Sequence, residues 1–330
     1  MAKSKLRNPF IIVLVIALIG VAAWYFLSNT VNKKAEEQLQ LFLIENNLQD
    51  QVKWESLEAS PSGTASLKKV SFIDTEGELF MTAEELHLKH FKQDEMVLET
   101  EVEVKGLVDV SGLAFQEQLN GVYELVGLES PNYIDLSWQI NLDNTQQKSV
   151  MNSDILFPEL FVVETEIITD NPEKIRELSK LVNESAGLEE PSETEILALF
   201  DMMSDIKIQN LNIGLVEKGG VEKLRHEFIK SELDVEAEAI ESEQGQELLA
   251  QEIATGREEC LREAELGVVL KDQESACNRI FDFISGTDDA IKFKASLAKP
   301  VSFDEILMYS LMGVGPEVMV EEYGLSVEVE

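Results

Sequence analysis

The sequence predicts an α+β protein: a single N-terminal transmembrane helix, followed by a one-sided antiparallel β-sheet packed with helices. Three observations predict this class. Residues 10–27 form an uncharged apolar run, residues 96–105 and 133–142 alternate strictly between apolar and polar side chains, and residues 221–284 carry long helical patterns. These patterns are typical of a membrane span, of half-buried strands and of helices, respectively.

The apolar run from Phe10 to Leu27 has the length of a membrane span. As a helix it would extend roughly 27 Å, close to the thickness of a bilayer's hydrocarbon core. Three basic residues precede it, so the positive-inside rule places residues 1–9 in the cytoplasm and residues 28–330 outside it. A cleaved signal peptide is the alternative, because small residues stand at 21–23. The length of the run favours retention as an anchor.

The chain is strongly acidic, with 63 Asp and Glu against 27 Lys and Arg. All 63 acids lie beyond the anchor and three bases lie before it, so the exported part has 24 bases and a formal charge of 24 − 63 = −39. Such a surface repels nucleic acid and anionic lipid headgroups. A cationic partner is one explanation of the charge. Solubility, including in a salty exterior, is the simpler explanation and the one we expect.

Two cysteines, Cys260 and Cys277, stand 17 residues apart. In an oxidising compartment this spacing predicts a disulfide, and free buried thiols are the alternative. Closing a loop of this size stabilises a fold by roughly 3 kcal/mol in the chain-entropy model. The sequence has no Cys-x-x-Cys motif, so a redox-active pair is not indicated.

Strand patterns dominate residues 28–170, which we predict to be a β-rich part. A helix from Asn32 to Asn47 precedes them and continues the membrane helix or packs beside the first strands. Strict alternation in the two longest patterns predicts an antiparallel sheet with one wet face and one apolar face. The predicted strands are Val52–Leu57, Leu67–Phe72 with a bulge at Lys68–Lys69, Leu86–Lys89, Met96–Lys105, Tyr133–Leu142 and Phe161–Ile168.

Residues 171–330, beyond a soft boundary near Asp170, are predicted to be a helix-rich part that ends in β-strands. Cys260 and Cys277 would lie on neighbouring helices there, so that a disulfide clamps a helical hairpin. The predicted helices are Asn171–Asn183, Ser192–Met203, Val221–Ile284 with breaks at Gln244–Gly245 and Gly267, and Phe303–Leu311. The predicted strands are Ile206–Gly214, Ile291–Leu297 ended by Pro300, and Leu325–Val329.

The apolar face of the sheet is a candidate functional surface. We expect the chain's own helices to cover it and to form an ordinary two-layer core. The alternative is a groove open enough to bind an acyl chain or a partner's helix. The side chains of this candidate binding face are Leu98, Val102, Val104, Ile134, Leu136, Trp138 and Ile140.

Residue patterns that mark catalysis or metal binding are missing from the sequence. His87 and His90 are three apart on a predicted strand, so their side chains should point to opposite faces, and His226 stands alone on a predicted helix. Adjacent acids such as Asp288 and Asp289 are assigned to the solvated surface, because paired-carboxylate catalysis also needs a cleft. We therefore predict a non-enzymatic protein without catalytic residues, cofactor or metal.

Short apolar segments lie near both ends of the exported part, at residues 52–54, 67–72, 83–88, 212–218, 291–297, 299–302 and 324–327. They resemble segments of AsmA-like and YdgA-like bacterial envelope proteins. The resemblance implies a Gram-negative inner-membrane protein that faces the periplasm with a curved β-sheet. Some AsmA-like relatives are linked to phospholipid movement between membranes, but this exported part is too short for an extended bridge. The resemblance supplies no catalytic residues.

From these observations we expect a single-pass protein of the bacterial inner membrane, with a cytoplasmic N-terminus and its bulk in the periplasm. It would handle lipid or maintain the envelope through the apolar face of its sheet. The alternative is an adaptor or scaffold that binds another envelope protein through its acidic surface or its helical hairpin. The expected partners are the membrane and a lipid or an envelope protein, and not nucleic acid.

Overall fold

A computed structural model of the chain describes residues 39–41, 43–44, 49–60, 64–74, 77–93, 96–112, 115–185, 201–233, 242–263, 269–312 and 316–330. The predicted anchor at residues 10–27, the predicted helix start at Ser192 and the predicted break at Gly267 lie outside these residues. Within the described ranges, no helix combines the length and the apolar composition needed to cross a bilayer.

Eleven strands and seven helices begin and end within the described residues. The α+β class with an antiparallel sheet is confirmed. The strands are β1 Val52–Lys53, β2 Ser56–Ala59, β3 Ala65–Ile73, β4 Leu79–Gln93, β5 Val97–Asp109, β6 Ile134–Asp143, β7 Lys148–Phe157, β8 Phe161–Asp170, β9 Lys207–Glu217, β10 Ala290–Ser302 and β11 Ser326–Val329. The helices are α1 Gln116–Glu124, α2 Pro172–Ser185, α3 Gly220–Leu233, α4 Glu243–Arg262, α5 Gln273–Ser285, α6 Phe303–Met312 and α7 Pro316–Tyr323.

Contacts between residues divide the chain into two compact units. The first unit comprises Met1–Leu119, Pro131–Ser153 and Thr169–Ile206, and the second comprises Asn120–Ser130, Asp154–Ile168 and Lys207–Glu330. The first unit therefore holds β1–β6 and α2, whereas the second holds β9–β11 and α3–α7. Strands β7 and β8 and helix α1 contribute residues to both units.

In the first unit the strand order is β1-β3-β4-β5-β6-β7, and β2 also pairs with β3. The pairs from β1 to β6 are antiparallel, and directly paired residues share one face of the sheet. One face therefore collects the apolar positions of every strand, as the alternation predicted. Its most buried members are Val52, Leu67, Val70, Phe72, Met81, Ala83, Leu86, Leu88, Val102, Val104 and Leu142.

The second unit has a smaller apolar face on β9, β10 and β11, which are antiparallel neighbours. Ile291 of β10 pairs with Leu215 of β9, and Phe293 pairs with Val329 of β11. Helices α3 and α5 supply Val221, Ala276 and Phe283, which pack with Ile291 and Val329 as a buried cluster. This is the two-layer arrangement in which helices cover one side of a sheet.

The start of α3 is fixed by a close approach of two backbones. The carbonyl oxygen of Leu160, which is fully buried, accepts hydrogen bonds from the N–H groups of Lys218 and Gly220 at 2.9 Å each. A Cβ at Gly220 would lie 2.8 Å from that oxygen, so only glycine fits. The Glu217 carboxylate accepts from Gly219 and Val221, and it thereby satisfies free N–H groups at the helix start.

One predicted strand end is wrong. Pro300 does not end β10, because the strand continues to Ser302 after an irregularity between Ser296 and Val301 in its pairing with β9. A bulge is one of the places where a sheet tolerates proline. The break predicted around Gln244–Gly245 corresponds to the start of α4 at Glu243. Both residues lie in its first turn, where the Ser242 hydroxyl accepts the Gly245 N–H. Strand β7 and helix α1 were not predicted.

The alternation of buried residues shifts by one residue at the same level of three neighbouring strands. Buried residues are three apart instead of two at Leu67 and Val70, at Ala83 and Leu86, and at Val104 and Leu107. The intervening pairs face the polar side and lie next to each other, since Lys68 pairs with Glu85 and Glu85 pairs with Lys105. We call this row of paired positions, 68–69, 84–85 and 105–106, the transverse crease.

Left-handed backbone marks the crease at two positions, Lys69 with φ 50° and Gly106 with φ 60°. The pairing of β3 with β4 keeps one register from Lys68 to Val70, so Lys69 marks a shift in alternation with positive φ and not the predicted bulge. On the other side of β5 the register with β6 shifts between Val104 and Leu107, and the Asp135 carboxylate accepts the Gly106 N–H at 2.7 Å. The crease borders an open groove of about 570 Å³ lined by Lys69, Glu84, Lys105, Gly106, Tyr133 and Asp135, among others.

We expect Gly106→Ala to lower the free energy of unfolding by about 2 kcal/mol, because a left-handed φ is strained for alanine and the new Cβ would lie 3.0 Å from the Glu84 Cβ. Gly112 is the matched control, since it has φ 69° and open space around its Cβ position. Gly112→Ala should cost only about 1 kcal/mol. Urea unfolding of the two variants measures the difference, and equal losses would contradict the close approach at the crease.

Candidate functional site

The candidate binding face lies on β5 and β6, and the register brings its predicted members together on one side of the sheet. Val102 pairs directly with Trp138, and Val104 pairs with Leu136. Leu98 pairs with Leu142, Thr100 with Ile140 and Leu107 with Ile134, so these residues belong to the same face.

Most of this face is inside the protein. Val102 and Val104 are 0% exposed, and Trp138 and Ile134 are 7% and 9% exposed. Leu98, Leu136 and Ile140 are half-buried. The accessible part is therefore limited to three aliphatic side chains, and the large aromatic ring is core.

Elements of the first unit lie against β6 and near the edge strands. Helix α2 contacts β6, and its start at Pro172 is buried. The helix predicted from Asn171 thus begins with proline, whose fixed φ suits the first turn and whose missing N–H has no helical acceptor there. Near the first strands, helical residues Leu39 and Leu43 are 0% and 2% exposed.

The opposite face of the same strands is charged and internally paired. Lys89 Nζ lies 3.2 Å from a Glu103 oxygen and 3.8 Å from a Glu101 oxygen, so one base neutralises part of two acids. His87 lies 2.9 Å from Glu85 and holds the pKa of that carboxyl below its ordinary value, and the Ser66 hydroxyl also donates to it. Each exposed pair contributes little stability by itself. The face is thus a solvated surface with alternating charges.

The prediction that His87 and His90 point to opposite faces is wrong. The pairing of β4 with β5 shifts between Leu88 and His90, so Lys89 is an extra residue in the strand. His87 pairs with Glu103 and His90 pairs with Glu101, which places both imidazoles on the charged face. One inserted residue reverses side-chain direction along a strand. In the described part of the chain, no group of three or more His, Cys, Asp or Glu side chains could hold a metal ion.

The second candidate site is the helical hairpin of α4 and α5 in the second unit. Cys260 on α4 and Cys277 on α5 lie at disulfide distance, with 2.00 Å between their sulfur atoms and 5.9 Å between their Cα atoms. The Cys277 side chain is fully buried. The sequence spacing had predicted this pair and its position on neighbouring helices.

Polar contacts that the sequence did not indicate fix α4 to α5. Arg257 donates to Asp282 at 2.9 Å and to Asn278 at 3.1 Å, so its planar guanidinium bridges two positions of α5 that are one turn apart. The Gln273 amide donates to the carbonyls of Cys260 and Glu263 at 2.7 and 2.8 Å, at the C-terminal end of α4. These groups satisfy carbonyls that a helix end otherwise leaves without partners.

Helix α4 contributes little to the core. Gly245 is its one buried residue, although Gly256 lies so close to the Phe281 ring that a Cβ there would be 2.7 Å from it. The rest of the helix is half-buried or exposed, including Leu261 at 41%. Its exposed acids are Glu243, Glu247, Glu252, Glu258 and Glu259. The helix therefore presents a mainly acidic surface attached by a disulfide and a few polar contacts.

A polar cluster of the second unit joins α6 to α7. Ser302 donates through its N–H and its hydroxyl to Glu305 at 2.9 and 2.8 Å, and these bonds hold the pKa of Glu305 below its ordinary value. This is the serine–glutamate capping pair of a helix start. The hydroxyls of Tyr309 and Tyr323 lie 3.4 Å apart. The contact with Tyr309, burial and Glu305 together raise the pKa of Tyr323. We assign the cluster to helix capping.

Compared with known proteins, the chain matches no family model and no curated protein sequence.

We expect Trp138→Glu to lower the free energy of unfolding by about 4 kcal/mol, because the change empties a large buried site and places a carboxylate there without a partner. Gln139→Glu, at the exposed neighbouring position, should cost less than about 1 kcal/mol even though Glu101 lies opposite it. Chemical denaturation of both variants tests this. A Trp138→Glu variant as stable as the parent would indicate an open groove instead of a core.

We expect Cys260→Ala with Cys277→Ala to lower the free energy of unfolding by about 3 kcal/mol, since the disulfide closes a loop of this length. Amide hydrogen exchange should also rise throughout residues 243–263, because α4 has few other attachments. The parent protein treated with a reducing agent serves as the control and should reproduce the change. Unaltered exchange in α4 would mean that the polar contacts alone hold the hairpin.

Proposed function

We propose that this chain is a non-enzymatic, membrane-anchored adaptor of the bacterial envelope, and that the exposed surface of α4 binds a cationic segment of another envelope protein. The observation that carries the proposal is an acidic helix held on the protein surface by a disulfide and by Arg257, with little burial of its own. A helix that contributes so little to the core has a large surface left for a partner.

The charges on α4 favour this proposal over a purely solvating role. At 100° per residue, Glu243, Glu247 and Glu258 fall on the side of the helix opposite Gly256, which faces α5. Arg257 is engaged with α5 and does not neutralise that side, whereas Arg262 lies 3.7 Å from the Glu258 carboxylate and neutralises part of it. Complementary charge steers association and sets register with a partner. The disulfide reduces the ordering that binding would otherwise require.

Lipid handling through the apolar face of the sheet is the second proposal. The half-buried side chains of Leu98, Leu136 and Ile140 favour it, and so does the resemblance to AsmA-like and YdgA-like envelope proteins. Burial of Val102, Val104 and Trp138 makes it the weaker of the two, because an acyl chain would have to displace packed core contacts. Either role fits an inner-membrane protein whose bulk is in the periplasm.

We expect a photoreactive residue at Gln251, on the acidic side of α4, to crosslink a protein partner when the full chain is expressed in cells. Glu247→Lys with Glu258→Lys should abolish this adduct, because the change removes the charge that the partner recognises. Added salt should weaken the adduct in isolated membranes, since exposed charges are screened. Gel mobility and mass spectrometry of the adduct provide the measurement.

The control is Glu78→Lys with Glu321→Lys, which reverses two exposed acids elsewhere and changes the net charge equally. Adducts should persist in this variant. If both double variants lose the adduct to the same extent, then net charge and not the surface of α4 would be responsible. A reporter enzyme fused after Glu330 that proved cytoplasmic would contradict the compartment.

A further inference from the structure

Two large apolar side chains among the first described helical residues are more than half exposed. Leu41 and Ile44 are 54% and 55% exposed, while Leu39 and Leu43 on the same short helical stretch are almost fully buried. Residues three apart lie on one side of a helix, so Leu41 and Ile44 project together away from the buried side. A pair of large aliphatic side chains exposed to this extent is a candidate contact surface.

A groove of about 450 Å³ adjoins this pair. It is lined by Gln40, Leu43, Ile44, Gln49, Val52, Lys53 and Trp54. Lys53 is exposed, and the Trp54 ring beside it is half-buried. Tryptophan and lysine together suit a bilayer interface, where the indole sits among headgroups and the ammonium reaches phosphate oxygens.

The position of these residues in the chain selects the bilayer as the occupant. The predicted anchor ends at Leu27, and residues 28–38 separate it from Leu39. Even a fully extended segment of this length spans no more than about 40 Å, so the apolar pair stays within that distance of the outer membrane surface. We call Leu41, Ile44, Lys53 and Trp54 the anchor-proximal patch.

We infer that the anchor-proximal patch inserts into the headgroup region of the bilayer that holds the anchor. Leu41 and Ile44 enter the upper acyl layer, and Lys53 contacts lipid phosphate. Two membrane contacts, one spanning and one interfacial, fix the orientation of the first unit towards the membrane. The inference rests on the anchor of the proposed function, and it does not depend on the adaptor role of α4.

The test uses the full chain in lipid nanodiscs made of phosphatidylethanolamine and phosphatidylglycerol. Photoreactive p-benzoylphenylalanine replaces Leu41 or Ile44, and mass spectrometry measures lipid adducts after irradiation. Met308, 56% exposed in the second unit, is the control position with matched exposure. Lipid adducts should be several-fold more abundant at positions 41 and 44 than at position 308.

A second variant tests the patch as a unit. With the photoreactive residue at Lys53, the lipid adduct should be lost in Leu41→Glu with Ile44→Glu, because two carboxylates would be expelled from the interface. Equal lipid adducts at 41, 44 and 308 overturn the inference, as do adducts to a second copy of the chain instead of lipid. If the full chain does not enter nanodiscs, the predicted membrane anchor is wrong as well. Loss of only the protein crosslink at Gln251 of α4 would contradict the adaptor role and leave this inference standing.

Discussion

Two rows of apolar side chains cross the sheet of the first unit from strand to strand. One row runs Leu67, Leu86, Val104 and Leu136, and the other runs Ala65, Leu88, Val102 and Trp138. Burying each large side chain contributes roughly 1.5–3 kcal/mol. A slip of one residue in any strand would turn its whole set towards water, so these rows determine the register of four strands at once.

The transverse crease follows from the same constraint. If only one strand shifted its alternation, its apolar residues beyond the shift would face water. The apolar residues stay on one face because β3, β4 and β5 shift their alternation at the same level. Where the register with β6 changes, the Asp135 carboxylate accepts the N–H of Gly106. The crease therefore places two consecutive residues of each strand on the polar face and leaves the apolar rows intact on both sides.

The hairpin of the second unit is held in a different way. Helix α4 buries little apolar surface, so a covalent bond and the donors of Arg257 and Gln273 take the place that packing has elsewhere. This attachment leaves most of the surface of α4 accessible, and the proposed adaptor role depends on that accessibility. The same reasoning separates α4 from the β5–β6 face, which is apolar but mostly enclosed.

The sequence by itself determined the α+β class, the one-sided antiparallel sheet, the helix start at Pro172 and the pairing of Cys260 with Cys277, because period, proline position and spacing are local properties of the chain. Only the tertiary structure decided which side of the sheet is closed, how Lys89 turns both histidines to one face, and that Arg257 spans Asn278 and Asp282. These features depend on residues far apart in sequence, and no local pattern encodes which of many acids meets a given base.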